Sequence, residues 1–541
     1  MAQPNLKVKR LIDRFDRLKN NRVNWETQWQ DILDYCMPQS AFITRRRGTQ
    51  GQKVKENIYD STAKRANQIL AAGFHGNLTN PSQRWFKLRL QEASLNEDQE
   101  VKTWLANAED RIFDAYNGSN FNQQIHQTYL DLGSVGTASL YLAEDAKDLI
   151  RFAARPIEEI VIDEDADERV NTVYRRYKLS VKQAYDQWGE DSGKKVVELY
   201  NKQKWDERVE FMQCIAARDD RDPNKSTSTN LPFFSYQINI ENQSIVSEGG
   251  FHEFPYMVVR FSKISGDLYG YSPASVMLPD IKMLNAISKT IIKGAQKIVD
   301  PPLVLPHDSF ILPLKTIPGG INYRTSGTSE DKIEPLLTHA NIPVGREMQN
   351  DLRNSIMQGY FADLFQILGE RKNMTATEVA ERISEKLILL GPVLGRLQTE
   401  MLDPIVGRSF GILLRRGIID PPPEVLQGRE MVIEYISPLA LAQRRESVSA
   451  ISNLLQLVGG MAQFSPEVID KIDSDQVVDE AANVFGVRPE IIRDDEAVAA
   501  IRKGRAQQAQ IAEMAQAAGA VTEIDKTASE AEKNRATANA V

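Results

Sequence analysis

Residues 269–302, YGYSPASVMLPDIKMLNAISKTIIKGAQKIVDPP, carry two patterns at once. Placed at 100° per residue, Met283, Leu284, Ile287, Ile291, Ala295 and Ile298 share one side of a helix, and Lys282, Lys289, Lys293 and Lys297 fall in a narrow arc on the other. Pro279 sits in the early turns, where proline is tolerated. Asp300-Pro301-Pro302 ends the helix, because a residue before proline is pushed to extended geometry and proline offers no N–H. A lysine stripe is most often a solvated face. Its neighbours in sequence decide whether it is more.

After Pro302, prolines at 306, 313, 318, 335 and 343 and Gly319-Gly320 exclude a long helix, so residues 301–343 read as a turn-rich insertion with strand-like runs INYRT and KIEPLL. Val344, Met348, Leu352, Ile356 and Tyr360 then recur every four residues and predict a second helix. Two helices bracket a stiff insertion. Beyond them QILGERKNM is polar and basic, and Thr375-Ala376-Thr377-Glu378 is a capping box opening a third long helix that Pro392 and Pro404 should bend.

On the N-terminal side, residues 5–35 have helical period with a soft break at Asn20-Asn21. A helix capped by Asp60 or Ser61 runs on through small residues, and 85–88 reads as a strand. Residues 97–132 are helical, Gly133 and Gly136 interrupt, and 138–178 turn to short strands. A helix is expected over 180–202, and strands over 207–217 and 231–260. Arg45-Arg46-Arg47 sits in a polar loop and reads as surface charge. Residues 431–437 are strand-like, 439–505 mostly helical, and the Ala/Gln/Glu-rich end is expected to be disordered. The fold class is therefore α+β, mostly helical.

The net charge of −8 argues against a protein that coats duplex DNA through an overall basic surface, while leaving local basic stripes open. Cys36 and Cys214 have no metal or redox spacing, and a reduced setting is expected. No run approaches 18 apolar residues, and MAQPNLKVKR lacks the apolar segment of a secretion signal, so no membrane association is expected. Neither GxxxxGK[ST], GxGxxG after a strand, nor GxSxG occurs, and the five histidines lack HxH or HxxxH spacing. The acidic run at 163–168 has Glu168 where a calcium loop needs glycine, and reads as a solvated turn. No catalytic residue, metal site or cofactor is expected. A nuclease assembled from distant carboxylates and an internal scaffolding or core protein remain the alternative readings.

The strings IYDSTAKRANQILAAG, LTNPSQRWF, SNF with YLDLGSVGTASLYL, PYMVVRFSKISGDLYGYSPASVMLPDIKMLN, QKIVDPPLVL and NMTATEVAER, in that order, resemble the head-to-tail connector (portal) proteins of short-tailed, T7-like bacteriophages. The resemblance spans about residues 5–440. It implies a ring of subunits, a dodecamer, at one capsid vertex, through which double-stranded DNA is packaged and ejected. By this resemblance 1–268 is wing, 269–300 and 344–362 are the stem helices, and 301–343 is the clip. Residues 363–376 are the tunnel loop, 377–430 a kinked wing helix, and 431–541 crown and tail.

Implied partners are the terminase large subunit, tail adaptor proteins, and the major capsid, scaffolding and internal core proteins. Lys282, Lys289, Lys293 and Lys297 in the stem and Arg371 and Lys372 in the tunnel loop become candidates for sequence-independent DNA contact. Ile287, Ile291, Ile298, Leu352 and Ile356 become candidates for subunit packing. The lysines could equally pair with acidic residues of a neighbouring subunit.

Overall fold

The computed structural model describes residues 6–45, 58–304, 342–367 and 389–436 apart from a few single positions and pairs, with short pieces around 323, 334–335 and between 454 and 510. Arg371 and Lys372 lie outside the described residues, as do most of the 301–343 insertion and the final residues of the chain. The chain divides into two compact units.

The first unit holds residues 1–87, 108–421 and 433–443. It opens with α1 (Leu6–Asn21) and α2 (Val23–Cys36), separated where the soft break was expected. Helix α3 (Thr62–Leu78) starts at Asp60, whose carboxylate accepts the Thr62 N–H at 2.8 Å, while Ser61 makes no side-chain cap. After β1 (Phe86–Leu90) come α4 (Gln99–Gly118) and α5 (Phe121–Val135). Gly133 does not interrupt α5 but lies against Asn67 of α3, so its missing side chain serves close packing. Gly136 ends the helix at φ 78°, the left-handed cap that glycine adopts without strain.

Nearly all the expected strands follow. β2 (Thr137–Asp145) pairs with β3 (Leu149–Arg155) and with β9 (Tyr256–Arg260) in a three-stranded antiparallel sheet. β4 (Ile160–Glu164), β5 (Val170–Ser180), β6 (Arg208–Ala217), β7 (Phe233–Asn239) and β8 (Ser244–Phe251) form a five-stranded antiparallel meander in chain order. In place of one helix over 180–202 the chain makes α6 (Val181–Trp188) and α7 (Lys194–Asn201), because Gly189 and Gly193 take positive φ between them.

The period-2 alternation sorts the five-stranded sheet into two faces. Val161, Tyr174, Met212, Cys214, Tyr236 and Ile238 receive Val8 and Phe15 of α1. On the other face Ile160, Ile162, Val173 and Ile215 pack with Trp29 and Leu33 of α2 and with Tyr256 and Val258 of the three-stranded sheet. Further along, Tyr177, Val209 and Phe211 meet Val181, Ala184 and Val196 of α6 and α7. The acidic run at 163–168 is the β4–β5 turn, and no cluster able to hold a metal exists among the described residues.

Helix α8 (Pro273–Val299) occupies the opening stretch of the sequence. β10 (Leu303–Val304) pairs antiparallel with β11 (Glu334–Pro335), so the two ends of the 305–333 segment meet. The second predicted helix is α9 (Ile342–Gly359). Phe361, at φ 54°, breaks it from α10 (Ala362–Ile367), so residues 363–367 of the expected 363–376 tunnel loop are helix. Residues 389–397, here α11, continue through a π-turn at Gln398–Leu402 into α12 (Asp403–Arg415). Pro404 has no N–H and its ring crowds the carbonyl four residues back. The π-turn, in which Asp403 N–H reaches Gln398 O, is how the helix absorbs it. Among the described residues no helix is long and apolar enough to cross a membrane.

The second unit holds residues 88–107, 422–432 and 444–541. In it Asn96 both accepts from Leu90 N–H and donates to Leu90 O, at 2.8 and 2.9 Å, and Arg502 forms a two-pronged ion pair with Asp475. Part of β12 (Met431–Tyr435) belongs to this unit as well.

Candidate nucleic-acid interface

The start of α8 is fixed by local chemistry. Ser272 and Ser275 form a reciprocal capping box, each accepting the other's N–H at 2.9 and 3.0 Å, and Pro273 opens the first turn. Ser272 Oγ donates to Ser134 O at 2.6 Å, and Gly270 N–H donates to Thr137 Oγ1 at 2.8 Å. Gly136 and Gly270 touch backbone to backbone: a methyl on Gly136 would lie 2.4 Å from Gly270 O, and one on Gly270 2.5 Å from Gly136 O. The first turn of α8 is thereby clamped to the end of α5 and the start of β2.

A charge network extends that clamp. Arg260, 3% exposed, donates to Glu400 Oε1 at 2.7 Å and to Glu164 Oε2 at 2.8 Å, and Lys263 bridges Glu164 and Glu168 at 3.0 and 2.7 Å. Burial lowers the Arg260 pKa, but hydrogen bonds and charge from Glu400 and Glu164 more than offset it and raise it. Glu400 stands in the π-turn, so that irregularity presents the carboxylate to β9.

From this root α8 runs antiparallel to α9. Met277 meets Gly359, Asp280 accepts from Ser355 at 3.0 Å, Gln349 Nε2 donates to Ser288 Oγ at 2.8 Å, and Ile291 meets Gly345. Each pair sums to nearly the same residue number, the signature of a straight antiparallel seam. A glycine near either end lets the helices approach, and one buried polar pair fixes the register midway. Asp60 anchors α9 through Arg353 at 2.8 Å. Burial raises the Asp60 carboxyl, yet hydrogen bonds from Thr62 and Arg353 outweigh it and hold its pKa below the ordinary value.

The predicted seam is partly displaced. Leu284 is buried and Ile287, Ile291 and Leu352 are half-buried. Ile356 is 0% exposed within a single chain, which leaves it no surface to offer another subunit. Met283 and Ile298 are each about half exposed, at 48% and 49%, while Ile281 and Ser288 take buried places. Periodicity cannot tell which of two adjacent apolar rows faces the partner helix.

The lysine stripe lies opposite the α9 seam and divides in two. Lys282 pairs with Asp31 of α2 at 2.9 Å, and the Lys289 amino group sits 5.5 Å from the centroid of the Tyr59 ring. Lys293 and Lys297 are exposed, and neither has an ion-pair partner among the described residues. An exposed bridge such as Lys282–Asp31 is worth about 0–1 kcal/mol, too little to hold the amine against a stronger anion. Neither Ser288–Gln349 nor Arg260–Glu400 has a local sequence pattern that would reveal it. The glycines at 345 and 359, spaced to flank the apolar row, were the available hint of close helix packing.

The family model for the bacteriophage head to tail connecting protein matches residues 8–492. This chain belongs to that family. The connector is 33% identical over 514 residues to a probable portal protein of Bordetella phage BPP-1, covering 94% of this chain and 92% of the relative. It is 31% identical over 528 residues to the portal protein of Salmonella phage epsilon15, covering 96% and 95%. In a solved virion of a native gene transfer agent particle, one chain aligns with 75% of the connector and 90% of its own length, at a TM-score of 0.37 and 10% identity. The resemblance drawn from the sequence is thus the family to which the chain belongs.

Proposed function

We propose that this connector is a portal: a non-enzymatic ring, a dodecamer, at the capsid vertex where head meets tail, conducting double-stranded DNA during packaging and ejection. The observation that carries the reading is the near full-length likeness to two phage portal proteins. The α8–α9 pair is the proposed stem, residues 301–343 the clip that docks the terminase large subunit and later the tail adaptors. Residues 1–268 are the wing facing the major capsid, scaffolding and internal core proteins, and 431–541 the crown.

Ring symmetry converts each lysine into a circle of amines at one height, and Lys293 and Lys297 stand about 6 Å apart along the helix at 1.5 Å per residue. Such contacts engage phosphates without reading bases and weaken with salt, as passage of any sequence requires. Lys293 and Lys297 are the better-placed pair because neither has an ion-pair partner among the described residues; Lys282 and Lys289 would have to exchange Asp31 and the Tyr59 ring for phosphate. Arg371 and Lys372 are proposed as the tunnel-loop contacts. Ile298, with Met283, is the apolar surface offered to the next subunit; Ile287, Ile291 and Leu352 have less area to give.

Native mass spectrometry of the purified chain tests assembly: rings of about twelve chains are expected, and a persistent monomer at micromolar concentration contradicts the reading. Lys293→Ala with Lys297→Ala, and separately Arg371→Ala with Lys372→Ala, should form rings yet fill heads poorly. Unchanged genome filling removes the pair concerned.

A further inference from the structure

Between the two sheets the apolar packing is interrupted by a polar layer. Along the inward face of β5 and β6, Val173 and Ile215 belong to the cluster under α2, and Tyr177 and Phe211 to the cluster under α6 and α7. The pair between them is Arg175 opposite Gln213. The three-stranded sheet contributes Tyr141, Tyr256, Ser139 and Arg155 to the same layer. Tyr256 Oη donates to Gln213 Oε1 at 2.9 Å, and Tyr177 Oη donates to Gln237 Oε1 at 2.9 Å.

Two atoms in this layer are left over. Ser139 Oγ and Arg155 Nε are both buried and have no hydrogen-bond partner among the described residues. They are neighbours, because Ser139 and Arg155 are directly opposed across β2 and β3. The Arg155 guanidinium lies 5.7 Å from the centroid of the Tyr141 ring, and no carboxylate pairs with it among the described residues. Arg175 close by is already committed, to Glu159 at 2.8 Å and to the face of Tyr177 at 4.1 Å. Of these two guanidinium groups only Arg175 has a carboxylate partner among the described residues. Desolvation, and then the charge of Arg175, push the Arg155 pKa down.

A buried donor without a partner costs about 1–3 kcal/mol, and a half-buried charge without a counter-ion costs more. We propose that this layer is an oxyanion site, in which Arg155 and Ser139 bind a carboxylate or phosphate group beside the Arg175–Glu159 pair. The guanidinium supplies charge and a fork of N–H donors matched to a planar or tetrahedral oxyanion, the serine a hydroxyl donor, and Arg175 the field that favours a negative guest. The guest is either a free ion or an acidic side chain of an adjoining protein chain. A water molecule could satisfy both orphan atoms but would leave the excess positive charge in place.

The test uses the full-length protein. Its unfolding midpoint is measured in sodium phosphate against sodium chloride at matched ionic strength, for wild type, Arg155→Gln, Ser139→Ala and, as a control on the same strand, Arg151→Gln. A free-ion site raises the wild-type midpoint in phosphate by about 2 °C or more, an increment reduced in Ser139→Ala and absent in Arg155→Gln but kept in the control. If Arg155→Gln does not fold, Ser139→Ala, which removes only one hydroxyl, carries the comparison. Side-chain density from both buffers identifies the source: an oxyanion present only in phosphate is a free ion, and a neighbouring chain's carboxylate seen in both is the protein guest. An ordered water alone at Arg155, with no phosphate-dependent stabilisation, overturns the proposal.

Discussion

The two ends of α8 are built on opposite principles. At Ser272 the helix is held by a capping box, by backbone contact between Gly136 and Gly270, and by the buried Arg260 network, all within one chain. At the far end Ile292, Ile298 and Val299 are 43%, 49% and 86% exposed and Lys293 and Lys297 stand in solvent. The root is complete in one chain, whereas the tip exposes apolar surface and two lysines without an ion-pair partner among the described residues. A helix so finished at one end and so unfinished at the other fits a part that is anchored by its own chain and completed by neighbours and a polyanion.

Substitutions can break that contrast. Arg260→Ala should cost most, about 3–5 kcal/mol in a denaturant titration, since Glu164 and Glu400 lose their shared partner in a largely buried setting. A loss below about 1 kcal/mol would mean the network is not part of the clamp. Gly136→Val should cost about 3 kcal/mol, because it combines a strained positive φ with a collision against backbone that cannot turn aside. Gln349→Ala strands the buried Ser288 hydroxyl and should cost about 1–2 kcal/mol, with the largest rise in amide exchange along the α8–α9 seam.

At the tip, Ile298→Ser should change single-chain stability by no more than about 0.5 kcal/mol while weakening ring assembly. Equal loss in both assays would erase the distinction between the ends.

How far these ends could be foreseen differs for a physical reason. The bounds of α8 are legible because proline acts locally, and Asp300-Pro301-Pro302 stops the helix within one residue of the expected place. Which apolar row meets α9 is not legible, since Met283 and Ile281 differ only in what lies opposite. Arg260 and Glu400 are 140 positions apart, and no spacing rule links a strand-end arginine to a carboxylate in a π-turn. The break at 189–193 went unread because the pattern of 180–202 is helical throughout and only the paired glycines contradict it. Lys282 and Lys289 looked equivalent to Lys293 and Lys297; their partners, Asp31 and Tyr59, come from segments more than 200 residues earlier.

A pH series gives a smaller check on the helical layer beneath the root. The His75 and His126 rings of α3 and α5 lie 5.7 Å apart, and burial, then the neighbouring His126, lower the His75 pKa. The folded chain therefore binds fewer protons at His75 than the unfolded one, and its stability is full above the unfolded value near 6.5 and declines as pH falls toward the folded value. Urea midpoints should drop between pH 7.5 and 5.5, and His75→Asn should flatten that slope. An unchanged slope would show that His75 does not titrate with folding.

The most direct test of the conduit is a reconstruction of the assembled protein at side-chain resolution. A ring whose bore is lined by α8, with Lys293 and Lys297 pointing inward at successive heights, is the predicted result. Those amines facing the outer rim, or paired with acidic groups of the adjoining subunit and hidden from the channel, would contradict it.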